Sequence, residues 1–149
     1  MPTPRALQTP CPCGGGLYEG CCAPLHRGER RAATAEQLMR SRYSAYALGE
    51  VDHLLRTQGP ELGSRQPLSV QRRALQDSCR QVRWLRLEIL ATEAGGALDL
   101  EGTVTFRAHY RPVGLAAGGG VMRERSRFGR AGGRLEGAWL YLEALELSG

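Results

Sequence analysis

The pattern of apolar and polar positions predicts helices in the first half of the chain. Large side chains recur there at the spacing that gathers them on one face of a helix: Leu38, Met39, Tyr43 and Tyr46. Thr34 and Gln37 match a capping box that begins this helix, and Gly49 is expected to end it. Two shorter helices are predicted over residues 50–57 and 69–77.

In the second half of the chain the pattern changes to alternation. Apolar and polar residues alternate most clearly over 98–110, which predicts a strand. A strand over 82–91 switches its inward face near Trp84, which indicates a β-bulge. Further strands are expected over 121–128 and 135–147. Helices followed by antiparallel strands predict an α+β domain, in which N-terminal helices cover a curved sheet.

Composition bounds the class of protein. The 149 residues suffice for one domain and a small appendage. No run approaches the ~20 apolar residues of a membrane span, and the N-terminus lacks the pattern of an export signal. We therefore expect a cytoplasmic protein, whose thiols stay reduced. The formal net charge is +5, but 15 acidic residues are interspersed among the arginines, so we favour a solvated, moderately basic surface.

The candidate chemistry begins with four cysteines in a segment of twelve residues: Cys11, Cys13, Cys21 and Cys22. Two thiols one residue apart, a glycine-rich turn and two adjacent thiols can converge on one point, as a tetrahedral zinc site requires. His26 could replace either of the adjacent cysteines as a nitrogen ligand. A shell of four protein ligands leaves no position for substrate, so we expect the zinc to be structural. We call residues 11–22 the knuckle.

Two other roles for these cysteines stay open at this point. Disulfides between Cys11 and Cys13 or between Cys21 and Cys22 would close strained rings. A redox-active dithiol usually has the spacing Cys-x-x-Cys beside a helix N-terminus, which the chain lacks. The fifth cysteine, Cys79, is expected to be a small buried residue at the end of a helix. We favour the structural metal over both alternatives.

The cysteine segment carries a resemblance to a known motif. Cys11-Pro12-Cys13-Gly14 closing on Cys21-Cys22 resembles the SEC-C zinc motif, named for the C-terminus of the SecA preprotein translocase ATPase. With the blocks at 38–46 and 124–128 and with Trp139, the chain is similar to the YchJ-like family of uncharacterised bacterial proteins. The resemblance implies a cone-shaped, nuclear-transport-factor-2-like domain and zinc at the four motif cysteines. It implies no established reaction.

The family pattern also suggests where the chain divides and where it departs. We expect the lead-in and zinc knuckle over residues 1–33 and the α+β domain over residues 34–149. Seven residues separate Cys13 from Cys21, one fewer than is usual in the family, which keeps His26 open as a ligand. Thr57-Gln58-Gly59-Pro60 stands where relatives typically carry a histidine, so no role for that histidine is carried over.

Four polar residues of the predicted domain are candidates for a second site: Arg40, Arg42, Tyr43 and Glu124. In one interpretation they line the mouth of the cone and bind an anion. In the other, which we favour, an arginine of the first helix pairs with Glu124, which the strand pattern points inward. His53 is expected to be exposed or to cap a helix, and His109 is expected on the outer surface, so neither is a candidate base.

Three functions are consistent with these features. The leading hypothesis is a zinc-binding, non-enzymatic adaptor that uses the knuckle to bind a macromolecular partner, a protein or the ribosome. The alternative is a small-molecule-binding protein or enzyme that uses the interior of the cone. The third is binding to RNA or the ribosome through the knuckle and the nearby Arg27, Arg30 and Arg31. No catalytic constellation is evident, so an enzyme is the less favoured class.

Overall fold

The computed structural model describes residues 8–60, 65–114 and 118–149. Within these ranges, helices precede strands. The helices are α1 (Ala23–His26), α2 (Ala35–Leu48), α3 (Val51–Thr57) and α4 (Leu68–Gln81). The strands are β1 (Val82–Ala94), β2 (Glu101–Pro112), β3 (Gly120–Arg130) and β4 (Trp139–Ser148). This order confirms the α+β class that the sequence predicts.

The ends of α2 are set by the residues that the sequence indicates. The Gln37 backbone N–H donates to Thr34 Oγ1 over 3.1 Å, and the Ala33 N–H donates to the Gln37 side chain over 2.6 Å. An N-cap of this kind stabilises a helix by about 1 kcal/mol. At the other end, Gly49 has a φ of +78°, which glycine adopts without strain. The first predicted helix is therefore confirmed.

The two later helices agree with the pattern to different degrees. The helix predicted over 50–57 is confirmed as α3, but α4 has 14 residues and extends beyond the predicted 69–77 at both ends. Polar side-chain contacts hold α4 against α3 and against Gln58, the residue that follows α3. The Gln58 amide donates to Gln71 Oε1 over 2.8 Å, and Arg72 forms an ion pair with Asp52. Such tertiary contacts are invisible to a local apolar pattern.

The strands form one antiparallel sheet in the order β1-β2-β3-β4. The register of β1 against β2 shifts between Trp84 and Arg86 and again between Ile89 and Ala91. The shift near Trp84 confirms the predicted bulge. Two further shifts occur where β3 pairs with β4. Bulges of this kind bend the strands that contain them, so this sheet curves around the elements packed on it.

Two strands begin later than the sequence predicts. β2 begins at Glu101 rather than at 98, because the preceding residues form a turn in which the Gly96 N–H donates to Asp99 Oδ2 over 2.9 Å. β4 begins at Trp139 rather than at 135, because residues 134–137 form a turn in which the Gly137 N–H donates to the Arg134 carbonyl over 2.9 Å. Polar contacts within the turns thus replace the first residues of each predicted strand.

The hydrophobic core lies between α2 and one face of the sheet. Its buried side chains from these elements are Ala35, Leu38, Met39, Tyr43, Val104, Phe106, Ala108, Phe128 and Trp139. Three knuckle cysteines, Cys11, Cys13 and Cys22, belong to the same buried cluster. The knuckle is therefore continuous with the core of the domain.

Candidate functional site

A glycine turn and a short helical turn bring the knuckle cysteines together. The Cys11 N–H donates to the Gly16 carbonyl over 2.7 Å, and the Gly14 N–H donates to the Cys11 carbonyl over 3.0 Å. Gly14 and Gly16 have φ angles of +83° and +126°, a region that other residues rarely adopt. A 3₁₀ turn over Tyr18–Gly20 then returns the chain to the second pair of cysteines. The glycine-rich spacing thus produces the convergence that the sequence predicts.

The four cysteine sulfurs lie within 4.8 Å of one another. Cys13 Sγ is 3.5 Å from Cys21 Sγ and 3.8 Å from Cys22 Sγ, and the last two sulfurs are 3.9 Å apart. Tetrahedral zinc with Zn–S bonds of about 2.3 Å places its sulfurs about 3.8 Å from one another. A disulfide needs about 2.05 Å, and these cysteines are free thiols. The cluster therefore has the dimensions to hold one metal ion.

Gly15 allows the backbone to pass close to these sulfurs. A Cβ atom at this position would lie 3.0 Å from Cys21 Sγ and 3.2 Å from Cys13 Sγ. Those distances are tighter than ordinary van der Waals contact, so a side chain here would displace a sulfur or the turn. Glycine at position 15 therefore leaves the space that the converging sulfurs occupy.

The cysteine thiols differ in acidity because they share hydrogen bonds. Bonds from the Cys11 and Cys22 thiols lower the pKa of Cys13 far below its usual value. The same exchange raises the pKa of Cys22, and burial raises the pKa of Cys21 to about 12. Metals bind the thiolate form. Binding of a metal to this cluster therefore releases protons from its thiols.

His26, the alternative ligand, lies outside the sulfur cluster. Its Nε2 is 2.8 Å from the Ser41 carbonyl oxygen, and its Nδ1 is 2.7 Å from the Tyr18 hydroxyl. Because a carbonyl oxygen only accepts, Nε2 carries the proton, and Nδ1 accepts from Tyr18. Burial lowers the pKa of His26, which favours this neutral form. Both ring nitrogens have hydrogen-bond partners, and through them His26 fastens α1 to α2.

Arg40 joins α2 to the knuckle. Its Nη1 donates to the Cys13 carbonyl over 2.8 Å, and its Nε donates to Glu36 on the same helix over 2.9 Å. Arg56 makes a similar link from α3, donating to the His26 carbonyl over 3.0 Å. Arg40 was expected to face the same site as Tyr43, but the structure gives it a structural role beside the cysteines.

A buried polar network continues beneath α1. The Ser41 hydroxyl donates to the Leu38 carbonyl over 2.7 Å, so His53 Nε2, at 2.8 Å, donates to the Ser41 oxygen. His53 is only 3% exposed, which corrects the prediction of an exposed or capping residue. Burial, with the neighbouring His26 ring and the positive charge of Arg42, lowers the pKa of His53 to about 3. His53 is therefore neutral and acts as a hydrogen-bond donor inside the fold.

A cavity of about 230 Å³ lies between α2 and the inner face of the sheet. The helix contributes Met39, Arg42, Tyr43 and Tyr46 to its wall, and the sheet contributes mostly apolar and aromatic side chains. Glu124 and Trp84 also line it. The structure thus brings together three of the four predicted body residues, Arg42, Tyr43 and Glu124, while the fourth, Arg40, lies at the knuckle.

The two charged groups of the cavity wall are held by separate partners. Arg42 Nη1 donates to the Leu54 carbonyl over 3.0 Å and to Thr57 Oγ1 over 2.7 Å, and the guanidinium lies over the Tyr141 ring. Glu124 Oε2 accepts from the hydroxyls of Ser126 and Tyr141, the latter over 3.1 Å. The predicted ion pair between Glu124 and an arginine of α2 is not among the ion pairs of residues 8–60, 65–114 and 118–149. Tyr141 stands between the two charges instead.

Two residues of the cavity wall each carry a buried donor without a hydrogen-bond partner within the described ranges. The Tyr43 hydroxyl and the Trp84 Nε1–H are fully buried and are not hydrogen-bonded to any described protein group. The two rings are in edge-to-face contact, with centroids 5.8 Å apart. Sequence reasoning assigned Trp84 to a bulge and missed it as a site residue. The available signal was its place as an inward aromatic opposite Tyr110.

His109 and Cys79 lie away from both the knuckle and the cavity. His109 is on the outer face of the sheet, where it contacts the Glu88 carboxylate, as expected for a surface residue. Cys79 is half-buried near the C-terminal end of α4. No helix among the described residues is long and apolar enough to cross a membrane.

The helices on a bent antiparallel sheet, with a four-cysteine cluster at one end, define an NTF2-like domain that carries a SEC-C-type knuckle. A family model described as "YchJ, middle NTF2-like domain" matches residues 34–144. The chain belongs to the YchJ-like family, whose members include UPF0225 proteins.

Relatives and solved structures are similar over nearly the whole chain. A UPF0225 protein of Streptomyces coelicolor is 45% identical over 144 residues, covering 96% of each chain. A SEC-C motif containing protein from Rhodopseudomonas palustris, solved in solution, has a TM-score of 0.75 and 33% identity, covering 94% of this chain and 100% of that one. A SEC-C motif containing protein from Psychrobacter arcticus, solved by crystallography, has a TM-score of 0.74 and 26% identity, covering 97% and 85%.

Proposed function

We propose that this protein is a zinc-stabilised, non-enzymatic binding protein whose interior cavity holds a small molecule. The observation that carries the proposal is the cavity of about 230 Å³ between α2 and the sheet, whose wall combines apolar and aromatic side chains with Arg42 and Glu124. A cavity with a few convergent polar groups on an otherwise apolar wall is the usual form of a small-molecule site.

Zinc is the metal that best suits the knuckle. Cys11, Cys13, Cys21 and Cys22 offer four soft thiolates, and their sulfur spacings match tetrahedral coordination. Four protein ligands close the shell, so the ion would supply folding free energy and no open coordination position. The role assigned to it is structural.

The knuckle supports the cavity through α2. Arg40 binds the Cys13 carbonyl, and His26 binds the Ser41 carbonyl. Residues from the same stretch of helix, including Tyr43, form one wall of the cavity. A metal that fixes the knuckle would therefore also fix the position of that wall.

The contacts of the knuckle favour the cavity over the adaptor hypothesis. An attachment surface requires exposed groups, but three of the four cysteines pack in the core cluster. The arginines expected to attract RNA are also partly engaged. Arg27 forms a two-bond ion pair with Glu19 at 2.7 Å, and Arg31 donates to the Glu136 carbonyl over 2.8 Å. A macromolecular partner has less support from these contacts than a small ligand has.

Filling the cavity tests the proposal. Ala108 is 1% exposed and lines the cavity, so Ala108→Leu should occupy the space that a ligand needs. Toluene should shift the methyl NMR signals of Met39 and Met122 in the wild-type protein but not in this variant. Ala74→Leu, on the exposed side of α4, is the matched control and should behave as wild type. Toluene shifts that are equal in all three proteins, or absent from the wild type, would refute a binding cavity.

A further inference from the structure

We propose that the outer face of the sheet binds the phosphate backbone of double-stranded RNA through five arginines. All five are exposed and lie on three neighbouring strands: Arg83, Arg86, Arg107, Arg111 and Arg123. Together with Glu88 and His109 we call them the basic patch. This surface is separate from the cavity, and RNA binding there does not depend on a cavity ligand.

The strand register places arginines directly opposite one another. Arg83 of β1 pairs with Arg111 of β2, and Arg107 of β2 pairs with Arg123 of β3. Like charges in directly opposite positions of an antiparallel pair destabilise a sheet. The fold gains nothing from these two pairs, whereas bound phosphate would neutralise both.

Acidic residues compensate little of this charge. Glu88 is the only carboxylate of the basic patch, and it forms ion pairs with two of the arginines and with His109. Arg83, Arg111 and Arg123 form no ion pair with any residue of the ranges 8–60, 65–114 and 118–149. Five arginines and one glutamate give the basic patch a charge of +4 when histidine is counted as neutral, while the whole chain carries +5.

The positive charge is confined to one end of the sheet. Towards the opposite end of the strands, Arg127 forms ion pairs with Glu101 and Glu143. Glu93 lies beside them, since it pairs with Thr103 next to Arg127. An anionic polymer would therefore be attracted to the basic patch and repelled from the far end. The position of the charge, and not the arginine content of the chain, marks the surface.

Phosphate is the group that these side chains bind best. The planar guanidinium donates two parallel N–H···O bonds to a phosphate, and it keeps its charge at any physiological pH. The basic patch extends about 14 Å along β2, from position 107 to position 111, and about 10 Å from β1 to β3. It is therefore large enough to contact several phosphates of one backbone.

The shape of the face favours duplex RNA over other nucleic acids. The basic patch contains no aromatic ring on which the bases of a single strand could stack; Trp84 and Tyr110, from the same strands, contact each other instead. Four strands spaced ~4.8 Å apart are wider than the two-stranded ribbon that the major groove of DNA admits. Duplex RNA has a wide, shallow minor groove on which a broad sheet face can lie.

Charge removal at matched positions tests the proposal. The probe is a fluorescent RNA duplex of about 20 base pairs, titrated with the zinc-loaded full chain between about 50 and 200 mM KCl. Arg83→Gln combined with Arg111→Gln should weaken binding about tenfold and reduce the slope of log K against log [KCl] by about two. Arg65→Gln combined with Arg73→Gln removes the same charge from exposed positions at α4 and should bind as wild type does.

The first pair of substitutions should leave the melting temperature unchanged or raise it, because it removes two opposed charges that have no ion-pair partner among the described residues. A loss of RNA binding therefore cannot be ascribed to unfolding if the melting temperature is retained. Equal weakening by the two double variants would show that only net charge matters and would overturn the proposal.

Three further results would contradict the assignment to duplex RNA. Duplex DNA of the same sequence, or the single RNA strand, could bind as tightly as duplex RNA does. Polyglutamate could displace the RNA at an equal concentration of charge, which would show that carboxylates serve as well as phosphates. The wild-type protein could fail to bind the duplex even at about 50 mM KCl. None of these results would affect the cavity, which toluene binding tests separately.

Discussion

Arg40 Nη1 donates a hydrogen bond to the carbonyl oxygen of Cys13 over 2.8 Å. The contact joins the middle of α2 to the turn that carries the first two cysteines, so the helix and the knuckle hold each other in position. Arg40 is half-buried and is also oriented by Glu36, which reduces the entropy lost when it binds the carbonyl.

Removing this contact should loosen the knuckle. We expect Arg40→Met to lose about 1 kcal/mol of stability and to release zinc faster, because the Cys13 carbonyl then loses its charged donor. The rate of zinc transfer to a chromophoric chelator measures the effect. Arg30→Met, at an exposed position just after the knuckle, is the control and should release zinc at the wild-type rate. Equal rates for the two variants would contradict the assigned role of Arg40.

Adding a methyl group at Gly15 should impair metal binding. The new Cβ would meet Cys21 Sγ at 3.0 Å and Cys13 Sγ at 3.2 Å, so the sulfurs would have to move apart. We expect Gly15→Ala to lower the affinity for zinc at least tenfold, measured by competition with a chelator. Gly20→Ala is a close control, since no atom lies within 4 Å of a Cβ at that position. If both variants bind zinc with equal affinity, a glycine at position 15 is not required for the four sulfurs to converge.

Stability should fall as the solution becomes more acid, in part through His53. The folded pKa of His53 is about 3 and its ordinary value is 6.5, so between these pH values the unfolded chain binds one more proton than the folded chain does. The stability is full above about pH 6.5 and declines below it, by about 1.4 kcal/mol per pH unit for this group.

The contribution of His53 can be isolated by substitution. His53→Gln retains a donor for Ser41 but no longer titrates, so its free energy of unfolding should decline less steeply between pH 6.5 and 4.5 than that of the wild type. Chemical denaturation at several pH values, with excess zinc present, gives both slopes. Parallel slopes would show that His53 titrates alike in the folded and unfolded states.

The structural features that depend on a few adjacent residues could be predicted from the sequence. The cap at Thr34, the stop at Gly49 and the bulge near Trp84 were predicted because each reflects the preferences of a few adjacent residues. The convergence of the four cysteines was predictable for the same reason, since the glycine turn that joins them is encoded between them.

What the sequence missed depends on contacts between distant elements. Arg40 and Arg42 are two residues apart on one helix, yet one binds the knuckle and the other lines the cavity. His26 has the spacing of a metal ligand, but Ser41 and Tyr18 engage its two nitrogens. Trp84 became a site residue only because the folded sheet places it against Tyr43. The periods of helices and strands indicate on which face of the element a residue lies, but not which residue of another element it contacts.

The coupling of the knuckle to the cavity is tested most directly by the response of the cavity to zinc removal. The protein should bind one zinc ion per chain, and a chelator should then shift the Trp84 indole N–H and the Met39 methyl signals together with those of the knuckle, because α2 carries the change from Cys13 to the cavity wall. If removal of zinc shifts only residues of the knuckle, or if the purified protein binds no zinc and its fold is unaffected by chelator, the central claim that a metal centre supports the binding cavity is wrong.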